Sequence, residues 1–177
     1  MASYGRALRQ HIEALLLGTA GTYRTLAAGR LHLRAPDGDL EAHPLHSAER
    51  AVEVRVEPGE PLVPINGLDT HALYRHRLVV RVRYAYTRAG GDLVEGLTEQ
   101  HGSGTLDDVR DRATTDAADI YRVLTYHENH AGTDPAILAI VPEGAPAGID
   151  DDGDEIAVLE LAFTLDVYAS LASAYAP

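Results

Sequence analysis

Residues 76–87 have the strongest strand pattern of the chain. The apolar positions are Leu78, Val80, Val82, Tyr84 and Tyr86. The alternate positions are dominated by Arg77, Arg81, Arg83 and Thr87. A strand in a sheet with one covered face and one polar face has this pattern. The chain must therefore fold around a sheet that something else covers on one side.

Other strands follow from the same alternation. Residues 51–57 place three valines on one side and Glu53, Arg55 and Glu57 on the other. Residues 155–168 place alternate apolar residues opposite Glu160, Thr164 and Asp166. A shorter apolar run at 136–141 indicates a buried strand.

Two segments have helical periodicity instead. Leu8, Ile12 and Leu15 lie on one stripe of a helix predicted over 4–17, with Ser3 as its N-cap and Gly18 as its stop. A longer helix is predicted over 105–126, where the apolar residues recur every three or four positions. They are Leu106, Val109, Ala113, Ala117, Ile120 and Leu124.

The predicted order is thus α-β-β-α-β-β, which favours an α+β fold. We expect a two-layer sandwich, with both helices on one face of a mainly antiparallel sheet. The 177 residues suit one domain, 1–177, without internal repeats. Long connections rich in glycine, proline or acidic residues are expected near 30–48, 58–74, 88–104 and 142–154.

Charge excludes several classes of function. The formal net charge is −12, every basic residue is arginine, and residues 123–177 carry ten acidic residues but no Lys or Arg. Phosphate neutralisation and attraction to anionic lipid both need the opposite sign, so tight nucleic-acid binding and membrane binding are not expected. The N-terminus shows no secretory apolar region. The chain has no cysteine, which excludes disulfides and thiolate chemistry.

The nine histidines raise the question of a metal site. His127 and His130 are three residues apart at the end of the long helix, and His43 and His46 repeat that spacing in a loop. Neither pair has the HExxH spacing or a third ligand. The acidic run at 149–155 fails the calcium-loop pattern, because Gly153 precedes the third alternate acid. No cofactor, metal ligand or catalytic residue is therefore assigned, and an enzyme is not expected.

The open face of the sheet should carry Arg81, Arg83, Glu160 and Asp166. Opposite charges on neighbouring strands attract one another there. The same residues also suit a rim that meets another subunit.

One family resembles this layout. The run Tyr74–Tyr84 (YRHRLVVRVRY), a loop and the run Asp116–Leu124 (DAADIYRVL) look like the tail terminator, or tail completion, proteins of long-tailed bacteriophages. The final strand of that family would correspond to the run Ile156–Val167 (IAVLELAFTLDV). The resemblance covers about residues 5–168 and is one of pattern and element order. This chain is longer than the shorter family members, with the excess in the loops at 30–48, 58–74 and 88–104.

The resemblance implies a structural virion protein located in the neck region and assembled in the host cytoplasm. Identical subunits would form a ring, expected to be a hexamer, that caps the head-proximal end of the tail tube and ends tube polymerisation. Its other partners would be the tail tube protein and the head–tail connector or stopper protein. DNA would pass through the lumen without tight binding.

The candidate subunit-interface residues are those of the polar sheet face and the loop after it. They are Arg77, Arg81, Arg83, Arg88, Glu160 and Asp166. Segment 88–104 is expected to be an arm that orders against a neighbour. Alternative readings are another connector or stopper subunit, a tail tube subunit, a metal-dependent hydrolase using His127 and His130, or a plain binding module.

Overall fold

The computed structural model describes residues 4–16, 31–34, 50–63, 70–85, 106–144, 149–151 and 156–170. The helices are α1 (Tyr4–Leu16) and α2 (Leu106–Thr125), and a 3₁₀ turn (His127–His130) follows α2. The strands are β1 (Leu31–Arg34), β2 (Arg50–Val56), β3 (Glu60–Pro61), β4 (His71–Ala85), β5 (Ala136–Pro142), β6 (Asp150–Asp151) and β7 (Ile156–Ser170). The predicted Ser3 cap, Gly18 stop, Tyr86, Arg88 and segment 88–104 lie outside these residues.

The strands form one sheet in the order β1-β2-β4-β7-β5, with β3 beside β4 and β6 beside β7. All described pairings are antiparallel except β1 with β2. The central strands β4 and β7 pair along their full 15 residues, from His71 opposite Ser170 to Ala85 opposite Ile156. Two helices with a mainly antiparallel sheet confirm the α+β class.

The core lies on the inner face of this sheet, where the alternate apolar residues of three strands meet. Leu78 lies opposite Phe163, and Val80 lies opposite both Leu161 and Val54. All are fully or almost fully buried. The helices bury most of their predicted stripes in the same core: Leu8, Ile12 and Leu15 from α1, and Val109, Ala113, Ala117, Ile120 and Leu124 from α2. Leu106 is only partly buried, and Leu16 and Val123, which were not predicted, are buried as well. The apolar face of each long strand was therefore predicted correctly, whereas Glu53, Val79 and Arg83 on the opposite face are buried as well.

Three of the four predicted connections were wrong in part, because each of these three contains a short strand. β1 lies within 30–48, β3 and the start of β4 lie within 58–74, and β6 lies within 142–154. Strands of two to four residues carry too little alternation to be recognised, and they form because a longer strand offers a free edge. β4 and β7 are also longer than predicted, since they extend together as a pair at the end where His71 meets Ser170.

A bulge separates β2 from β3. Val56 pairs with Leu78 and Glu60 pairs with Arg75, so residues 57–59 face only two residues of β4. The backbone comes very close to β4 here. A Cβ at Gly59 would lie 2.5 Å from the Arg75 carbonyl oxygen and 2.6 Å from the His76 ring. Glycine is therefore required by the close approach of the two strands.

Candidate functional site

The outer face of the sheet carries the odd-numbered residues of β4 and the even-numbered residues of β7. Three arginines of β4 project there in a column: Arg75, Arg77 and Arg81. Their side chains are 53%, 48% and 40% exposed. Each is paired with a carboxylate of its own chain, so the face is a set of neutralised but solvent-accessible ion pairs.

Arg75 and Asp166 form the best-aligned pair. They lie directly opposite each other in the β4–β7 register. Arg75 Nε donates to Asp166 Oδ1 at 2.8 Å, and Arg75 Nη2 donates to Oδ2 at 2.9 Å. This two-pronged contact holds the pKa of Asp166 below its usual value. Asp166 is therefore an anion at any physiological pH.

Arg77 is joined to a residue beyond the end of β5. Its Nε donates to Glu143 Oε2 at 3.0 Å, and Glu57 lies 3.9 Å away on the other side. Glu143 Oε1 accepts a second hydrogen bond from Thr164, the residue opposite Arg77 in the register. Glu143 therefore links the outer residues of β4 and β7.

Arg81 lies in a row of alternating charge across three strands. It faces Glu53 of β2 on one side and Glu160 of β7 on the other. Its Nε donates to Glu160 Oε2 at 2.6 Å. Glu53 is 3% exposed and accepts a 2.9 Å hydrogen bond from Arg55. The predicted contact between Arg81 and Glu160 is present within one chain.

Arg83 departs from the prediction. It shares the outer face, opposite Ala51 and Val158, but it is only 5% exposed. Val79 on the same face is also buried. Alternation reveals which face a residue occupies but not what covers that face, so the prediction of an open position at Arg83 was wrong. Arg88 lies outside the described residues.

Apolar side chains are exposed at one end of the sheet. Among the described residues, five large hydrophobic side chains are substantially exposed, and we call them the end patch: Leu62, Val63, Leu138, Val141 and Tyr168. The Leu62 amide donates to the Leu73 carbonyl, Leu73 lies opposite Tyr168, and Tyr168 lies opposite Ala136 of β5. By register, Leu62 and Tyr168 lie in the row next to the Arg75–Asp166 pair, and Val141 lies opposite Thr164, in the row of Arg77. His71 stacks on Tyr168 with ring centroids 5.4 Å apart.

The bulge in β5 contributes to this exposure. The register with β7 shifts between Ile137 and Ala139, which leaves Leu138 as the extra residue. Leu138 is 58% exposed, whereas Ile137 and Ile140 are buried. Bulges at sheet edges re-aim side chains in this way.

Beyond α2, one of the two histidines that suggested a metal site, His130, has a structural role, together with its neighbour Asn129. Asn129 Nδ2 donates to the Val123 carbonyl at 2.9 Å, and His130 Nε2 donates to the Leu124 carbonyl at 2.7 Å. Both contacts satisfy carbonyls in the last turn of α2, which lack partners within the helix. His130 Nδ1 lies 3.1 Å from His11 Nε2.

Both nitrogens of His130 are therefore occupied, while His127 is exposed. The arrangement does not suit metal binding by this pair. No group of three or more metal-ligating side chains occurs among the residues that the structure describes.

A cleft of about 380 Å³ lies beside α1. It is lined by Ala7, Leu8, His11, residues 131–135 and Ile137. The hydroxyl group of Thr133, which lines this cleft, donates a hydrogen bond to the His130 carbonyl and accepts one from the Ile137 amide.

Sequence reasoning missed several residues of the outer face. Arg75 and Glu143 lay inside or beside predicted connections, although each makes an ion pair with a residue of a predicted strand. Arg75 has the same odd-numbered parity as Arg77 and Arg81, a signal that would have placed it on this face. Nothing in the sequence marks Glu143 or the end patch, since their positions depend on the pairing of β5 with β7.

No helix among the described residues is long and apolar enough to cross a membrane. No family model matches the chain, and no curated protein matches it. Among solved structures, the chain is similar to a chain of the "Virion of native gene transfer agent (GTA) particle". The similarity covers 94% of this chain and 96% of that chain, with 16% sequence identity and a TM-score of 0.45.

Proposed function

We propose that this chain is a structural virion subunit that assembles into a closed ring through the outer face and the end patch of its sheet. In that assembly the ring caps the head-proximal end of a tail tube, ends tube polymerisation and presents a surface to the head connector. The observation that carries the proposal is that exposed ion pairs and exposed apolar side chains occur side by side on one surface.

The ion pairs favour a surface made for contact with protein. Interfaces are enriched in arginine, whose planar group forms directed hydrogen bonds with carboxylates. In Arg75, Arg77 and Arg81 the guanidinium groups are already held in place by Asp166, Glu143 and Glu160. Prearranged groups lose little freedom when a second molecule contacts them.

The end patch adds the apolar component. Leu138, Val141 and Tyr168 are 58%, 53% and 48% exposed, although the chain has a large core in which to bury such residues. Contiguous exposed apolar surface commonly marks an interaction site. A neighbouring subunit that covered the patch would also cover the adjoining ion pairs.

The charge of the chain suits a ring around DNA. Six copies at −12 each carry −72 formal charges. Repulsion from an acidic lumen would let DNA pass without binding. The same charge opposes assembly, so contacts between subunits must overcome it by burying surface and pairing opposite charges.

The oligomeric state is the first test. Light scattering of the purified chain should give a mass several times 19.0 kDa, alone or with a tube protein present. Electron microscopy should show single closed rings. Stacked tubes would instead favour a tail tube subunit, and a monomer under every condition would overturn the proposal.

Charge reversal tests which surface is used. Arg81→Glu should dissociate the ring, because it places a like charge beside Glu160 and Glu53 on the proposed interface. Arg110→Glu is a matched control, since Arg110 is an exposed arginine of α2 that pairs locally with Asp107. An intact ring with Arg81→Glu, in a variant whose melting temperature is unchanged, would contradict the use of the outer face.

A further inference from the structure

In addition to its four buried apolar side chains, helix α1 makes two hydrogen bonds to the rest of the fold that involve histidines. At the start of α1, the hydroxyl of Tyr4 lies 2.8 Å from His76 Nε2 on β4. In its second turn, His11 Nε2 lies 3.1 Å from His130 Nδ1, beyond α2. These contacts join α1 to residues that are 72 and 119 positions away in sequence.

The protonation state of His76 follows from its neighbours. His76 Nδ1 lies 2.9 Å from the Glu57 carbonyl oxygen, which can only accept, so Nδ1 carries the proton. In the neutral ring Nε2 is then an acceptor, and it receives the Tyr4 hydroxyl hydrogen. A second proton, on Nε2, would reverse this hydrogen bond, because the charged ring would then donate to the Tyr4 hydroxyl oxygen. What opposes this proton is burial, since the His76 ring is only 5% exposed.

The same reasoning applies to His130. Its Nε2 lies 2.7 Å from the Leu124 carbonyl oxygen and must donate, so Nδ1 of the neutral ring accepts from His11 Nε2. With both rings protonated, two N–H groups would face each other across 3.1 Å. The bond between α1 and the turn after α2 therefore exists only while at least one imidazole is neutral.

We propose that these imidazoles form a pH-sensitive latch, and that mild acid releases α1 from the fold while the central strands β4 and β7 stay paired. The released helix would expose Leu8, Ile12, Leu15 and Leu16 together with the part of the sheet that they cover.

The surroundings favour neutral rings. Burial lowers the pKa of His76, His11 and His130; for His11 the charge of His130 adds to this, and for His130 the charge of His127. Backbone carbonyls oppose the shifts without reversing them.

Other titratable or charged groups lie on the elements around these histidines. They are Tyr4, Arg6, Arg9 and Glu13 of α1, Glu57 in the β2–β3 bulge, Tyr74, Arg75 and Arg77 of β4, Tyr121 and Arg122 at the end of α2, His127 and Glu128 of the 3₁₀ turn, and Asp134 beside the cleft. Arg9 and Glu13 are paired with each other.

The sign of the pH effect follows. A histidine whose pKa is lowered by folding stabilises the folded state above its unfolded pKa of about 6.5, and this stability is lost as the pH falls through the folded value. Each imidazole that takes up a proton on opening changes the equilibrium constant for the opening of α1 by up to about a factor of ten per pH unit.

Hydrogen exchange of the full chain, followed by mass spectrometry between pH 7.5 and 5.0, tests the proposal. After correction for intrinsic rates, the opening of α1 should increase at least about tenfold while β4 and β7 keep their protection. The proposal would be overturned if exchange in α1 did not change with pH, or if α1 and β4 lost their protection from exchange together.

Substitutions assign the effect to the two contacts. His11→Gln and His76→Gln should each flatten the slope of α1 opening against pH, whatever they do to its level at pH 7.5. His71→Gln, at an exposed imidazole that stacks on Tyr168, should leave the slope unchanged. If a variant does not fold, a pH titration of the histidine resonances of the wild-type chain provides the test. The pKa values of His11, His76 and His130 must all lie below about 6.5, and unshifted values would overturn the proposal.

Discussion

Gly59 is the residue whose identity the packing determines most strictly. A side chain at this position would meet the backbone of Arg75 and the ring of His76, neither of which can move away freely. His76 is fixed by its hydrogen bonds to Glu57 and Tyr4. The site therefore cannot relax around an added methyl group.

We expect Gly59→Ala to lower the free energy of unfolding by about 1–3 kcal/mol, as overpacking does in other cores. Urea denaturation measures the loss. Gly5→Ala is the control, because nothing lies within 4 Å of a Cβ at Gly5 and alanine favours the helix. Equal effects of the two substitutions would show that close packing at the bulge is not the cause.

Tyr84 is a second residue whose contact is set by the tertiary structure. It is fully buried, and its hydroxyl donates to Asp116 Oδ2 at 2.7 Å, linking β4 to α2. Asp116 is 5% exposed, so the lost donor would not be fully replaced by water.

Tyr84→Phe should therefore cost about 1–3 kcal/mol of stability, since it removes a donor from a buried carboxylate while keeping the ring. Tyr126→Phe removes a hydroxyl that donates to the exposed Glu128 and should cost less than about 0.5 kcal/mol. Thermal unfolding compares them. A smaller loss for Tyr84→Phe than for Tyr126→Phe would contradict the importance of the buried contact.

At the scale of elements, β5 has two different sides. Ile137 and Ile140 face the core, while the bulge turns Leu138 outward at the edge of the described sheet. An exposed apolar edge invites contact with another chain. The strand thus joins the core to the end patch.

Leu138→Asp should leave the melting temperature of the monomer nearly unchanged, because the side chain is already 58% exposed. In the proposed assembly it should lower the oligomeric fraction at least tenfold, since it would place a charge in an apolar contact. Sedimentation velocity measures that fraction. Thr114→Asp on the exposed side of α2 is the control, and similar loss with both variants would argue against the end patch.

At the scale of the whole molecule, net charge opposes association. Each chain carries −12, and copies brought together repel one another over about 10 Å at moderate ionic strength. The ion pairs on the outer face are already satisfied within one chain, so salt should weaken repulsion more than it weakens specific contacts.

We therefore expect the concentration needed for assembly to fall as sodium chloride is raised from about 20 to 150 mM, where the screening length drops below 10 Å. Light scattering over a concentration series measures this. If salt instead dissociates the assembly, new ion pairs between subunits dominate its stability, and the self-repulsion argument is wrong.

Much of the fold could be read from periodicity. The alternation in β4 and β7 and the helical stripes of α1 and α2 predicted which side chains are buried, because water excludes apolar side chains in the same way along the whole chain. The outer positions of Arg81, Glu160 and Asp166 followed from the same pattern. Local sequence thus determined the long elements and the face on which each residue lies.

The tertiary structure decided which residues meet. Register pairs Asp166 with Arg75 and gives Arg77 to Glu143, a residue that no strand pattern included. The tertiary structure also buries Arg83 and pairs the short strands β1, β3 and β6 with longer ones. Helix packing brings His11 to His130, which is 119 residues away in sequence. These features depend on strand register and helix packing, which arise from the summed contacts of distant segments and leave no local signal in the sequence.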